Sequence, residues 1–301
     1  MIDLEGKVAF ITGGASGIGL GMAQVFLRNG MRVTVADIRQ DHLDSAAQHL
    51  GRTDSTCFVR LDVTDRVAMR AAADAALQRF GKIHVLCNNA GIGIMGSAKA
   101  ATYDDWDWGI RVNLDAVFNG VRTFLPHLLE HGEGAHIVNT SSVSAVLPSA
   151  LIYAAAKAGV LAMSEVLRSE LAADGVGVTC LMPGPTTTNI HEVAKLRPDR
   201  FADTGLSEVE ASLLNRKPSP DWMDPARVGE MVADAIRRNR AFVITHAEFK
   251  AGAERRFEAL LTGFPRPTAQ AGRPLGFRVS NPMYDAILAA EQAPDSTSSD
   301  G

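Results

Sequence analysis

KVAFITGGASGIG, residues 7–19, is an apolar strand pattern that runs into a glycine-rich turn and then into a helical pattern. Glycines at such a junction allow a tight turn, and they let the backbone come close to a phosphate group at the positively polarised helix N-terminus. A glycine-rich turn alone is weak evidence of a ligand, but here strand, turn and helix follow one another in the required order. The stretch therefore predicts a dinucleotide site formed by Gly13, Ser16, Gly17, Ile18 and Gly19.

Short, β-branched apolar runs alternate with helical patterns over the first 185 residues. This alternation is typical of βαβ units, and runs that are apolar almost throughout suit parallel strands covered on both faces. We therefore predict an α/β fold, a single doubly wound Rossmann domain with a parallel sheet of about seven strands. The predicted strands are Lys7–Thr12, Arg32–Asp37, Thr56–Leu61, Ile83–Asn88, His136–Thr140, Gly177–Met182 and Ala241–Thr245. The predicted helices are Gly19–Asn29, His42–Leu50, Val67–Phe80, Tyr103–Leu129, Ile152–Ala173 and Pro225–Arg238.

The domain is predicted to span residues 1–264 and to contain one long insertion. Between residues 189 and 221 the periodic pattern gives way to charged, proline-containing sequence, too long for an ordinary connection. Long loops in compact domains are usually functional lids or disordered segments. We predict a mobile substrate lid here, the alternative being an amphipathic surface helix without ligand contact. Proline, glycine, serine and aspartate accumulate from about residue 265, so residues 265–301 are predicted to be a C-terminal extension with a disordered end.

Composition excludes several classes of function. The chain has 301 residues, with 30 lysines and arginines against 34 aspartates and glutamates, so no basic footprint for nucleic acid or an anionic membrane exists. No apolar run reaches the roughly 18–20 residues of a membrane helix, and the first residues carry acids where a secretory signal is basic. The three cysteines are widely spaced, and the eight histidines form no zinc-binding pattern. We expect a cytoplasmic protein without a metal site.

Asp37 ends the second predicted strand, about 20 residues after the glycine-rich turn, where a carboxylate can accept hydrogen bonds from an adenosine ribose. The alternative is a strand-end acid or a helix cap, a role that Asp41 could also fill. Neither Ile38 nor Ser16 supplies a cation for a 2′-phosphate. The sequence therefore favours NAD over NADP, with Arg39 as a nearby cation that could still reach a phosphate.

Tyr153 and Lys157 are four residues apart and so share one face of a predicted helix. A tyrosine has a pKa of about 10 and is a poor base at neutral pH until a nearby cation stabilises the phenolate. Lys157 could be that cation. The alternative is a core tyrosine beside a lysine whose stem is buried and whose charge reaches solvent.

Six motifs occur in order over roughly residues 5–245: TGGASGIG at 12–19, NNAG at 88–91, Asn113 within VNL, Ser141-Ser142, YAAAK at 153–157 and PG at 183–184. Taken together they resemble the short-chain dehydrogenase/reductase family. The resemblance implies a nicotinamide cofactor, a small-molecule substrate, and a homodimer or homotetramer formed through the helices at 103–129 and 152–173.

The resemblance also implies a catalytic set. Tyr153 would exchange a proton with the substrate oxygen, while Lys157 would hold the nicotinamide ribose and lower the tyrosine pKa. Ser142 would orient the carbonyl or hydroxyl, although it precedes Tyr153 by fewer positions than is common in the family. Either the intervening loop is shortened, or Thr140 or Ser144 is the working hydroxyl. Asn113 would hold a water that links Lys157 to solvent, or it would staple helix to strand.

The cofactor residues follow from the same resemblance. Asn88 and Gly91 would line the adenosine side, with Asp62 near the adenine unless it caps the following helix. Thr188 would meet the carboxamide or a phosphate. The remaining implied cofactor residues are Val63, Asn89, Ala90, Tyr153, Lys157, Pro183, Gly184 and Thr186.

A narrower resemblance lies outside these motifs. ATYDDWDWGIRVNL (101–114), NIHEVAKLRPDRF (189–201), TGLSEVEASL (204–213) and AFVITHAEF (241–249) are similar to the Cα-dehydrogenases of bacterial lignin breakdown. Those enzymes oxidise the benzylic alcohol of β-aryl ethers with NAD, which implies a bulky aromatic substrate here.

In this interpretation, the substrate contacts would be Ile94, Ile190, Leu196 and Phe201. The polar lid residues His191, Lys195 and Arg197 would hold the ether and hydroxyl oxygens of the substrate. The competing hypotheses are the same chemistry on a steroid, terpenoid or generic ketone, and a non-catalytic dinucleotide-sensing scaffold. A scaffold should have lost the tyrosine or the lysine, and both are present.

Overall fold

The computed structural model describes residues 3–214, 219–266 and 281–292. Seven parallel strands form one sheet in the order β3-β2-β1-β4-β5-β6-β7, which confirms the predicted α/β class. The strands are β1 Val8–Thr12, β2 Arg32–Asp37, β3 Thr56–Arg60, β4 Val85–Asn88, β5 Ala135–Thr140, β6 Val176–Met182 and β7 Phe242–Ile244. The strand order reverses between β1 and β4. The carboxyl ends of these two strands therefore flank the crevice where ligands bind in open α/β sheets.

Helices cover both faces of the sheet. They are α1 Gly17–Arg28, α2 Gln40–Leu50, α3 Arg66–Phe80, α4 Tyr103–Ile110, α5 Ala116–Glu130, α6 Leu151–Glu170, α7 Ser207–Leu214, α8 Pro225–Arg238, α9 Lys250–Leu261 and α10 Pro282–Gln292. On one face α1 and α8 bury Phe26 and Val232 against the strands. On the other face, α3 and α5 pack against the strands, and Phe124 of α5 is buried there with its ring centroid 4.5 Å from that of Phe10. Each such fully buried side chain contributes about 1.5–3 kcal/mol of transfer free energy.

The predicted helix Tyr103–Leu129 is helical throughout, but it is not one regular α-helix. A π-helical turn, Arg111–Asp115, separates α4 from α5. Such turns occur mostly as single insertions inside α-helices, frequently at functional sites. Near the end of α6, Gly175 follows the short Ala172–Asp174 turn with a φ of +71°, a left-handed conformation that favours glycine.

The predicted lid has regular structure that its sequence did not reveal. It contains the 3₁₀ segments Ile190–Leu196 and Asp199–Phe201, followed by α7. The C-terminal extension contains α10, whose side chain Met283 is buried, and Ser169 on α6 donates a 2.7 Å hydrogen bond to Asn281. The disorder predicted for residues 293–301 lies outside the described residues. Among the residues described, no helix is long and apolar enough to cross a membrane.

Candidate active site

The glycine-rich turn after β1 packs too closely against neighbouring residues to carry side chains at two of its positions. Gly13 and Gly17 have φ of +60° and +49°, a region that favours glycine. A Cβ on Gly13 would lie 2.9 Å from the Cα of Ala90, and one on Gly17 would lie 2.9 Å from Cγ2 of Thr188. The Asn89 amide donates a 3.2 Å hydrogen bond to the Gly13 carbonyl and ties the turn to the end of β4.

The turn opens into a cleft of about 510 Å³, which lies in the size range of ligand pockets. Most of the predicted cofactor residues line it: Gly13, Ser16, Gly17, Ile18, Asp37, Ile38, Asp62, Val63, Asn89, Ala90, Gly91, Tyr153, Lys157, Pro183, Gly184, Thr186 and Thr188. Two do not. A Cβ on Gly19 would lie 2.1 Å from the Gly13 carbonyl oxygen, so Gly19 serves close packing beneath the turn. Asn88 is buried and donates a 2.9 Å hydrogen bond to Asn139 instead of facing the cleft.

Asp37 faces the cleft at the end of β2, next to the turn. Its carboxylate accepts backbone hydrogen bonds from Ala15 at 3.3 Å and from Arg39 at 3.1 Å. Burial raises the pKa of this carboxyl, and the two backbone donors oppose that shift. The capping alternative for Asp62 is wrong, since Asp62 bonds to Thr64 and the cap of α3 is Asp65.

Arg39 is held by two carboxylates. It forms ion pairs with Asp41 on α2 and with Glu192 in the lid segment. The hydrogen bond to Asp41 raises the pKa of the guanidinium, with a further contribution from Glu192. Arg39, the cation that could still reach a phosphate according to the sequence, is therefore paired with carboxylates on two sides.

Tyr153 and Lys157 both line the cleft and lie next to each other. The Lys157 ammonium lies 5.6 Å from the Tyr153 ring centroid and donates a 3.0 Å hydrogen bond to the carbonyl of Thr140. Burial lowers the pKa of Lys157 to about 8. Burial raises the pKa of Tyr153, and a hydrogen bond with the Ser142 hydroxyl opposes that shift. The net shift of the Tyr153 pKa is upward, because desolvation disfavours the phenolate.

Ser142 is the hydroxyl that contacts Tyr153. Its Oγ also accepts a 3.1 Å hydrogen bond from the backbone N–H of Ser144. Thr140 instead donates its hydroxyl to Asn89, 3.3 Å away. The loop between Ser142 and α6 contains a short 3₁₀ turn, Val143–Ala145.

Asn113 lies in the π-helical turn and is fully buried. Its side chain exchanges two hydrogen bonds, each 3.1 Å, with the backbone of Ile92 just after β4. These contacts are those expected if Asn113 links the helix to the end of the strand. A Cβ on Gly91 would lie 2.9 Å from Asn113 Oδ1 and 3.4 Å from Lys157 Nζ, so the glycine backbone packs between them.

The lid segment forms one wall of the cleft. Of the four predicted substrate contacts, Ile190 and Leu196 line it, whereas Ile94 and Phe201 are buried behind the wall in a cluster with Trp108. Sequence reasoning missed other apolar and aromatic side chains of the cleft: Ile92, Met95, Trp108, Val112, Leu213, Trp222 and Phe249. The one signal in the sequence was that Trp108, Val112 and Phe249 lie within the segments quoted for the narrower resemblance.

The lid is fastened to α4 by a buried ion cluster. Arg197 pairs with Asp105 at 2.7 Å and with Glu210, and its guanidinium lies 4.5 Å from the Trp108 ring centroid. Thr204 donates a 2.7 Å hydrogen bond to the same aspartate. Arg197 is therefore a packing residue, and the expectation that it holds a substrate oxygen is wrong.

The other two polar lid residues differ in their placement. Lys195 does not line the cleft and pairs with Glu192 at 2.8 Å, whereas His191 lines the cleft.

Within the described ranges, one group of metal-ligating side chains lies close together, near the amino ends of β4 and β5: His84, His131 and Glu133. Three of its four imidazole nitrogens have backbone partners, and the fourth, His84 Nε2, lies 3.0 Å from the Glu133 carboxylate. His84 Nδ1 accepts from the N–H of Val8, and His131 bonds to the backbone of Glu133 and of Ile83. The group links the start of β1 to the segments before β4 and β5 by hydrogen bonds.

The chain was compared with known proteins. The family model described as short chain dehydrogenase matches residues 7–198. The Cα-dehydrogenase of Sphingobium sp. strain SYK-6 is 36% identical over 266 residues, which cover 87% of each protein. A short-chain dehydrogenase/reductase from Burkholderia phymatum, solved in complex with NAD, superposes with a TM-score of 0.81 at 32% identity and covers 90% of this chain and 100% of that one.

The apo form of LigO from Sphingobium sp. strain SYK-6 is also similar, with a TM-score of 0.73, 37% identity, and coverage of 98% of this chain and 100% of that one. These likenesses confirm the resemblance stated from the motifs. Because the family model also spans well over half of its length, the chain belongs to the short-chain dehydrogenases, a family of oxidoreductases.

Proposed function

We propose that this oxidoreductase uses NAD to oxidise a bulky, benzylic secondary alcohol, such as a lignin-type β-aryl ether, or to reduce the corresponding ketone. The observation that carries the proposal is the placement of Tyr153, Lys157 and Ser142 on the same cleft as Asp37 and the glycine-rich turn. The Cα-dehydrogenase relative and the NAD-bound structural neighbour support the substrate class and the cofactor.

The residues present fit a nicotinamide dinucleotide. Gly13 and Gly17 line the cleft with backbone alone, next to the N-terminus of α1, where the helix dipole favours a pyrophosphate. Asp37 offers a carboxylate to the adenosine ribose, and Lys157 offers a buried ammonium in the same cleft. When bound, the nicotinamide would accept or supply the hydride.

The side chains of the cleft would manage the proton. Ser142 and Tyr153 would hold the substrate oxygen between their hydroxyl groups. Tyr153 Oη would take the hydroxyl proton during alcohol oxidation and return it during ketone reduction. The Lys157 ammonium would stabilise the phenolate during that transfer, which offsets the pKa rise that burial imposes. The lid would keep water away from the reacting carbon.

An aromatic substrate is favoured by the composition of the wall. Trp108 and Trp222 line the cleft together with Phe249, and Leu196 extends the apolar surface from the lid. Aromatic side chains bury much area and favour offset or edge-to-face contacts with aromatic ligands. A steroid, a terpenoid or another bulky ketone would use the same wall, and these compounds are the second candidate substrates.

A substrate panel tests the proposal. Benzylic aryl-ether alcohols, steroid alcohols and simple secondary alcohols are offered with NAD and with NADP, and turnover is followed at the NADH or NADPH absorbance. We expect the highest kcat/KM for an aryl-ether alcohol with NAD. A higher kcat/KM for steroids would move the substrate class to the second candidate. No turnover with any secondary alcohol or ketone would remove the proposed function.

A further inference from the structure

Arg39 stands beside the end of the cleft where Asp37 lies. Arg39, Asp37 and the neighbouring His42 all line the cleft. The guanidinium donates to Asp41 through Nε at 3.0 Å and pairs with the same carboxylate through Nη2. Its third nitrogen, Nη1, pairs with Glu192, a residue 153 positions further along the chain. All three guanidinium nitrogens therefore have carboxylate partners.

Glu192 reaches Arg39 from the lid. It lies in the 3₁₀ segment Ile190–Leu196, and its other carboxylate oxygen accepts a 2.8 Å hydrogen bond from Lys195. The imidazole of His42 is 3.9 Å from the oxygen that pairs with Arg39. The side chains of Arg39 and Glu192 are each 21% exposed, so solvent screens this pair less than a fully exposed one.

The charges at this end of the cleft oppose a second phosphate. Asp37, Asp41 and Glu192 supply three carboxylates against the two cations Arg39 and Lys195. A planar guanidinium with free N–H groups is the usual bidentate partner of a phosphate, and Arg39 directs its N–H groups to carboxylates instead. Loss of the Glu192 charge would release one edge of the guanidinium and would also free Lys195.

We propose that Glu192 is a specificity-determining residue for the dinucleotide. From the lid it neutralises Arg39 and keeps the guanidinium from a 2′-phosphate, so that discrimination against NADP is shared between Asp37 and the lid. This inference rests on the proposed function, because it requires the adenosine ribose to bind beside Asp37. It makes the substrate lid a part of the cofactor site.

The test measures binding rather than turnover alone. Dissociation constants of NADH and NADPH are determined by calorimetry without substrate, for the wild type and for Glu192→Gln, which keeps the size of the side chain. We expect NADPH to bind about tenfold more tightly to the variant, the effect of roughly one partly screened charge pair, and NADH to change by less than about threefold. The gain for NADPH should shrink as the salt concentration rises.

Two further variants assign the effect. Glu208→Gln removes the charge of an exposed acid elsewhere in the lid and should leave both dissociation constants unchanged. Arg39→Ala combined with Glu192→Gln should abolish the gain, because the guanidinium that would take the phosphate is gone. Asp41→Asn, which frees the other edge of Arg39, should also favour NADPH, and it provides a second test if Glu192→Gln folds poorly.

The outcomes separate this inference from the proposed function. Tight NADH binding by the wild type, with no NADPH gain in Glu192→Gln or Asp41→Asn, would overturn the role of Glu192 alone. An equal gain in Glu208→Gln, or a gain that persists without Arg39, would also overturn it. If the wild type binds neither dinucleotide, the proposed function fails instead.

Discussion

Lys157 donates a 3.0 Å hydrogen bond from its ammonium to the backbone carbonyl of Thr140, the last residue of β5. This bond holds a cation that is 3% exposed beneath the ring of Tyr153. Burial of a charge is costly, and here the cost appears as a Lys157 pKa lowered to about 8. Burial of Lys157 therefore destabilises the folded protein and places a positive charge next to Tyr153.

The burial of Lys157 predicts a stabilising substitution. Because the pKa is about 8 in the folded state and about 10.4 in an unfolded chain, the folded protein binds fewer protons between these values. The destabilisation is therefore complete below pH 8 and disappears as the pH rises toward 10.4. Lys157→Met should raise the free energy of unfolding at pH 7 by about 2–3 kcal/mol, with loss of activity.

Urea denaturation of both proteins at pH 7 and at pH 10 measures this difference. The stability advantage of Lys157→Met should shrink at the higher pH. An equal gain in the free energy of unfolding at both pH values would mean that burial does not lower the pKa of Lys157.

The serine contact with Tyr153 predicts which hydroxyl matters. Ser142→Ala should lower kcat by about 10²-fold, because the substrate oxygen loses a positioned hydrogen-bond donor. Ser144→Ala should change kcat by less than about threefold, since Ser144 supplies its backbone N–H to Ser142 and this donor survives the substitution. Steady-state kinetics with one substrate decide between them. A larger loss in Ser144→Ala would reverse the assignment.

The lid predicts two different results from two similar truncations. Leu196 lines the cleft, so Leu196→Ala should raise KM several-fold for bulky aryl alcohols and leave small secondary alcohols unaffected. Phe201 is buried behind the wall, so Phe201→Ala should cost about 3–5 kcal/mol of stability. Thermal melts beside kinetics on large and small substrates separate the two effects. A KM change in Leu196→Ala that is equal for all substrate sizes would argue against the lid as a substrate wall.

The ion cluster of Arg197, Asp105 and Glu210 is expected to hold the lid segment against α4. Replacement of Arg197 by methionine leaves Asp105 and Glu210 facing each other without a cation, and both are buried. We expect a loss of about 3–5 kcal/mol in the free energy of unfolding. The triple variant in which Asp105 and Glu210 also become neutral amides should recover most of it. Without recovery, the loss would come from packing against Trp108 rather than from charge.

The sequence predicted the architecture because the signals were local. Strand patterns, the Gly13–Gly17 turn and the helical spacing of Tyr153 and Lys157 each depend on neighbours within a few residues. The structure brings that pair and Asp37 to one cleft.

What the sequence missed depends on contacts between distant segments. An apolar residue such as Phe201 fits a cavity wall or the layer behind it equally well. The partners of Arg39 and Arg197 lie in other elements, so pairing could not be inferred from spacing.

In the proposed mechanism, the Tyr153 phenol moves the substrate proton while other residues hold the dinucleotide. Tyr153→Phe removes one oxygen atom, and Tyr103→Phe makes the same change at a tyrosine that is 91% exposed and serves as the matched control. The measurement is kcat with the best substrate of the panel, together with the NADH dissociation constant. We predict that Tyr153→Phe lowers kcat by about 10²–10⁴-fold with an unchanged dissociation constant, and that the control retains both wild-type values. A Tyr153→Phe variant that keeps more than about a tenth of the wild-type kcat would contradict the role of Tyr153 in proton transfer.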